Sequence, residues 1–178
     1  MLIALTGTPG TGKSSVAERL RERGYKVATV VELAEKHGCI IDEEDGEIVI
    51  DVESLAARID FEGIVEGHLS HLLKPDVAIV LRCNPAVLRE RLKGRNWSEE
   101  KLLENLEAEM LDVILVEALE HASEVYEIDT TEMSLEEVIE AVEAIIRGDR
   151  EARKRYKPGG IDWLSELEDR IEEFMRKV

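Results

Sequence analysis

Eight residues near the start of the chain, Gly7 to Ser14, read GTPGTGKS and fit the spacing G-x-x-x-x-G-K-[ST]. The apolar run LIALT precedes them, and SSVAERLRERG, with apolar residues at helical spacing, follows. Strand, glycine-rich loop and helix is the context this motif requires. Glycines let successive backbone N–H groups turn inward, and the helix N-terminus adds partial positive charge, so the loop is suited to an oligophosphate. Lys13 reaches toward β- and γ-phosphates, and the Ser14 hydroxyl can ligate Mg²⁺. The candidate ATP-binding residues are therefore Gly7, Thr8, Pro9, Gly10, Thr11, Gly12, Lys13, Ser14 and Ser15, together with Arg95 farther along the chain. The plainer alternative, a chance glycine-rich turn, does not require the lysine and hydroxyl at these positions.

Phosphoryl transfer needs cations around the γ-phosphate, a positioned acceptor and an acid that supports the metal. LRERLKGR supplies Arg89, Arg91, Lys93 and Arg95 directly after an apolar strand. Arg91 and Arg95, four apart, share a helix face and can clamp phosphate oxygens or stack on a base, as a short lid would. An exposed helix with both arginines paired to Glu90 or Glu99 is the alternative. For the acid, GIVEGH offers Glu66 with His68 two residues on, and YEID offers Asp129. Glycines beside Glu66 permit close approach to a ligand, so Ser14 and Glu66 are the candidate metal residues, whereas Asp129 suits turn chemistry in DTTEMS. His68 either positions a nucleophile or water, or holds its loop.

Elements that must carry these groups follow from periodicity. Strands are expected at LIALT, YKVATVV, GIVEG, VAIVLRC and EVYEID, alternating with helices, which implies a five-stranded parallel sheet covered on both faces with ligands at the C-terminal strand ends. ELAEKHG reads as a short helix, and the acid-rich CIIDEEDGEIVIDVESLAARI as an excursion with its own helix at 52–59. Two helices are expected between strands four and five, broken near Gly94 to Trp97, with Ser98 capping the second. SLEEVIEAVEAII is another amphipathic helix, and after Pro158-Gly159-Gly160 the segment from Ile161 to Val178 reads as a last one.

The chain has 178 residues, enough for one domain with a real core. Apolar runs such as VAIVL are too short to span a membrane and the N-terminus reads as a strand, so a soluble, cytoplasmic protein is expected. Cys39 and Cys83 lack partners at ligand spacing and read as semi-buried thiols. Glutamine is absent and asparagine occurs only at 84, 96 and 105, a depletion found in thermophiles. A formal charge of −17 disfavours strong nucleic-acid binding and favours a basic protein partner. RGDREARKRYK, residues 147–157, runs against this with six basic and two acidic residues; it reads as a solvated helix end or a binding tail.

LTGTPGTGKS, IVEGH in the place of an Asp-x-His element, IVLRCNPAVLRERLKGRNWSEEKLLENLEAE and YEIDTT together resemble the adenylate kinase isoenzyme 6 family, also called coilin-interacting nuclear ATPase proteins, in an archaeal form. The resemblance covers about residues 1–147. It implies a three-layer P-loop nucleoside monophosphate kinase fold, with an acceptor-binding excursion at about 30–60, a short lid at about 89–98, and residues 148–178 packed on or extending the same domain. It also implies a dual adenylate kinase and ATPase, using ATP, Mg²⁺ and AMP, that assists small ribosomal subunit maturation through a basic small-subunit ribosomal protein. The catalytic positions it implies are Lys13, Glu66, His68, Arg91 and Arg95. Glu66 departs from the family's aspartate, and Glu35 stands near one expected AMP-phosphate arginine, with no arginine at the other; Lys36 and Arg58 are candidate substitutes beside plain surface roles. Three classes stay open: a nucleoside monophosphate kinase, an ATPase driving a conformational step, and a small-metabolite kinase of the shikimate or dephospho-coenzyme A type.

Overall fold

Apolar residues in the central strands recur on both faces, and each face meets its own helices. In the computed structural model, which describes residues 1–177, β1 (Leu2–Gly7) turns Ile3 and Leu5 toward α1 (Lys13–Glu22) and α7 (Leu135–Ile146). Ala4, between them, faces Leu115 and Ala118 of α6 (Val113–His121), as the two-residue period of a strand dictates. β2 (Val27–Thr29) and β5 (Gly63–Glu66) pack Ala28 and Val65 on α2 (Val30–His37) and α3 (Val52–Arg58). β6 (Val77–Arg82) and β7 (Glu124–Asp129) complete the sheet. All five strands are parallel in the order β2-β5-β1-β6-β7. Counted by themselves they run 2-3-1-4-5, the three-layer P-loop nucleoside monophosphate kinase fold, with β1 central and its C-terminal end at the point where strand order reverses.

Several local expectations differ from the structure. β2 is shorter than YKVATVV because Thr29 caps α2 through a reciprocal capping box with Glu32, so the helix starts at Val30. The acidic excursion also contains a hairpin of β3 (Ile40–Glu44) and β4 (Glu47–Ile50), turning at Asp45-Gly46, where both residues have positive φ. Three helices, not two, join β6 to β7: α4 (Pro85–Leu92), α5 (Glu99–Met110), capped by Ser98 as expected, and α6. The extra break lies at Asp112, whose φ of 58° brings its carboxylate onto Arg82.

Residues 161–177 do not form one helix. After α8 (Arg150–Arg155), only α9 (Trp163–Glu166) and a 3-10 turn at Glu168–Glu173 form. Glu168 with Glu172 and Asp169 with Glu173 would be like charges four apart on a regular helix. The segment instead lays Trp163, Leu167 and Phe174 against apolar side chains of α4 and α5. Cys39 and Cys83 are fully buried rather than semi-buried, and no helix among the described residues is long and apolar enough to cross a membrane.

Candidate functional site

Backbone shape at the end of β1 depends on two glycines. Gly7 has φ 144°, and a Cβ there would lie 2.4 Å from the Leu81 carbonyl oxygen of β6; Gly10 has φ 94° and would clash with Leu88 and Leu92 of α4. Side chains at these positions would push the loop off both neighbours. Thr11 Oγ1 and N and Lys13 Nζ all donate to the Thr8 carbonyl, at 2.8, 3.3 and 3.1 Å, closing the loop on itself. Lys13 is buried, and desolvation lowers its pKa to about 8 against the opposing pull of Glu66.

Parallel pairing of β1 with β5 sets Leu5 beside Glu66, so the carboxylate emerges next to the phosphate loop. Ser14 Oγ points to Glu66 Oε1 at 3.5 Å. Burial raises the Glu66 pKa, with Lys13 and Ser14 acting against it. His68 stands at the rim of the same cleft; desolvation by the cleft walls and then the Lys13 charge lower its pKa, so the ring is neutral at pH 7. The cleft measures about 630 Å³, and Lys13, Ser14, Ser15, Glu66, His68, Arg91 and Arg95 all line it. Opposite the loop its walls are Thr29, Val30, Val31, Ile48 and Ile50.

Both arginines face this cleft, but through different elements. Arg91, on α4, donates to the Gly10 and Thr130 carbonyls at 3.5 and 3.2 Å. Arg95 lies beyond α4, in a 3-10 turn at Lys93–Arg95, and stacks on Trp97 at 5.4 Å. Among the described residues neither forms an ion pair with Glu90 or Glu99; Glu90 pairs with Lys93 instead. Lys36 and Arg58 do not reach the cleft: Lys36 lies 3.8 Å from Asp60, and Arg58 donates to the His37 carbonyl at 3.1 Å. Asp129 accepts from Thr131 N and Oγ1 and serves the turn.

A family model described as "AAA domain" matches residues 3–112. A protein of Thermococcus onnurineus named "Putative adenylate kinase" is 44% identical over 98% of each chain, and one of the same name from Methanosarcina barkeri is 44% identical over 92% of this chain and 98% of its own. The chain belongs to the adenylate kinase isoenzyme 6 family. As a member it is a nucleotide-binding enzyme of the P-loop kinase and ATPase class. Among solved structures, shikimate kinase from Acinetobacter baumannii superposes with a TM-score of 0.55 at 16% identity, over 84% of this chain and 94% of its own. A Eubacterium ventriosum protein of unknown function superposes with 0.52 at 13% identity, over 83% of this chain and 98% of its own. Both likenesses concern the fold alone.

Two residues of this kinase-family site escape a reading of the sequence. Glu109, buried in α5, accepts the Thr8 hydroxyl at 2.8 Å, and Arg82, buried at the end of β6, donates to Glu109 at 2.7 Å. Locally LEAEMLD looks like any charged helix face. The one signal was an arginine ending a strand whose other residues are apolar: a charge there requires a buried partner.

Proposed function

We propose that this chain transfers the γ-phosphoryl group of ATP both to AMP and to water, and that it serves small ribosomal subunit maturation through a basic ribosomal protein. The observation that carries the catalytic reading is the convergence of Lys13, Ser14, Glu66 and Arg95 on one cleft at the mouth of β1. Lys13 exchanges the Thr8 carbonyl for β- and γ-phosphate oxygens when nucleotide enters. Arg95, over the Trp97 ring at 5.4 Å, faces the charge that spreads over the transferring group. Ser14 and Glu66 offer two hard oxygens, which fits Mg²⁺ because that ion keeps waters and phosphates as its other ligands. When bound, Mg²⁺ neutralises charge on the β- and γ-phosphates. An AMP phosphate oxygen needs no base to attack, whereas a water is oriented by the neutral His68 ring, whose free nitrogen accepts the proton the water loses as its oxygen bonds to phosphorus and ADP leaves.

A second reading, hydrolysis with little transfer, has its own support. Lys13, Arg91 and Arg95 are the lysines and arginines lining the cleft, and the acceptor-side walls carry none. The family resemblance and the acidic surface support the ribosomal protein partner. The test is a labelled-ATP assay with AMP, other monophosphates, shikimate and an acceptor-free control, run on wild type and Lys13→Ala. ADP formation from AMP above the control, lost in Lys13→Ala, is the expected result. Phosphorylation of a metabolite in preference to AMP overturns the kinase assignment, and hydrolysis without transfer selects the second reading.

A further inference from the structure

We propose that the C-terminal segment braces the phosphate loop, with Trp163 as a positioning residue acting through Glu109. Trp163 and Glu109 are each 2% exposed. Glu109 Oε1 accepts from Trp163 Nε1 at 3.1 Å, from Arg82 Nε at 2.7 Å and from the Cys83 amide at 3.3 Å. Its other oxygen, Oε2, accepts from Thr8 Oγ1 at 2.8 Å. Thr8 in turn holds Lys13 through its carbonyl. An unbroken line of polar contacts thus runs from the indole of the last helix to the cation expected to meet the γ-phosphate.

The same segment grips the two helices that flank the candidate lid. Phe174 lies under the Arg89 guanidinium at 5.2 Å, and Arg89 also donates to the Glu173 carbonyl. Asn84, the N-cap of α4, donates to Glu166 at 3.4 Å, and Arg176 donates to Glu107 of α5 at 2.7 Å. A buried carboxylate with three donors on one oxygen has little freedom to rotate, and losing one donor frees it to follow Arg82. The Thr8 hydroxyl then loses a fixed acceptor, and the loop must be ordered at the expense of binding energy. Because Thr8 is held alike in the ground and transition states, the effect falls on KM rather than kcat.

The proposal rests on the phosphate-loop reading, so the test separates the two. The chain contains two tryptophans, Trp97 and Trp163, and its ¹⁵N spectrum therefore has two indole signals, assigned by the loss of one of them in Trp163→Phe. With saturating ADP as the probe, the Trp163 signal is expected to shift in wild type and Thr8→Ser but not in Thr8→Val. Trp163→Phe and Thr8→Val should each raise KM for ATP about three- to tenfold with kcat within about twofold, and the double variant should be no worse than the poorer single one. A Trp163 signal unmoved by bound ADP, additive KM effects, or a lowered Tm with unchanged KM overturns the brace. Should Trp163→Phe not fold, the wild-type signals, then assigned by through-space contacts, and the Thr8→Ser and Thr8→Val pair decide. Absence of any ADP binding to wild type would instead remove the phosphate-loop reading itself.

Discussion

Lys13 shows how burial sets the working range of a single side chain. Its ammonium has lost water to the loop, and its pKa falls from 10.5 to about 8 in the free protein. Below pH 8 the charged form that attracts phosphate dominates; above it, binding must first restore a proton. Affinity for ADP is therefore expected to fall by up to about tenfold per pH unit above 8, and calorimetry at pH 7, 8 and 9 that gave one constant value would contradict this. The same residue makes the unliganded fold gain stability as pH rises from about 8 to 10.5, because there the unfolded chain binds the proton and the folded one does not. On the proposed mechanism, His68 is the residue that distinguishes hydrolysis from transfer and Glu66 serves both. His68→Ala should depress hydrolysis more than transfer to AMP, and Glu66→Ala should depress both; parallel losses for His68→Ala would leave that ring only a structural role.

At the level of elements, the β3–β4 hairpin and α5 meet beside the cleft. Lys101 of α5 pairs with Glu47 of β4 at 2.7 Å and lies 4.6 Å from the Trp97 ring, which also carries Arg95. Such an exposed pair contributes at most about 1 kcal/mol, so it aligns the two elements without locking them. Arg95 lines the cleft beside Trp97, while Arg91 is committed to Gly10 and Thr130 and ties the loop to the turn after β7. Arg95→Ala is expected to lower kcat about a hundredfold with a smaller change in KM for ATP, as for a group aimed at developing charge. Steady-state kinetics with KM raised and kcat unchanged would make Arg95 a ground-state clamp.

Across the whole molecule, a charge of −17 surrounds a cleft lined by buried Lys13 and by the exposed Arg91 and Arg95. The basic ribosomal protein proposed above as partner is expected to associate mainly through this field, with affinity falling steeply between about 0.05 M and 0.3 M salt while acceptor-free hydrolysis by the chain alone changes little. Salt-independent binding in a titration series would point to an apolar interface. The loop from Gly7 to Ser14 and the five strands were legible in the sequence because each is set locally, by motif spacing or by strand periodicity; Glu66 stood out as a carboxylate beside a glycine, but only the pairing of β5 with β1 brings it to Ser14. The hairpin had a local signal, the Asp45-Gly46 pair with positive φ at both residues; the break at Asp112 and the irregular C-terminal segment had none, because tertiary partners chose the backbone there: Arg82 drew Asp112 out of the helix, and the surface of α4 and α5 shaped residues 161–174. Glu109 is the clearest case. Thr8 lies 101 residues from it and Trp163 a further 54. Among forty acidic residues nothing local singles it out. Only the parallel sheet, by placing the end of β6 beside the end of β1, buries that carboxylate among four donors and makes it part of the site.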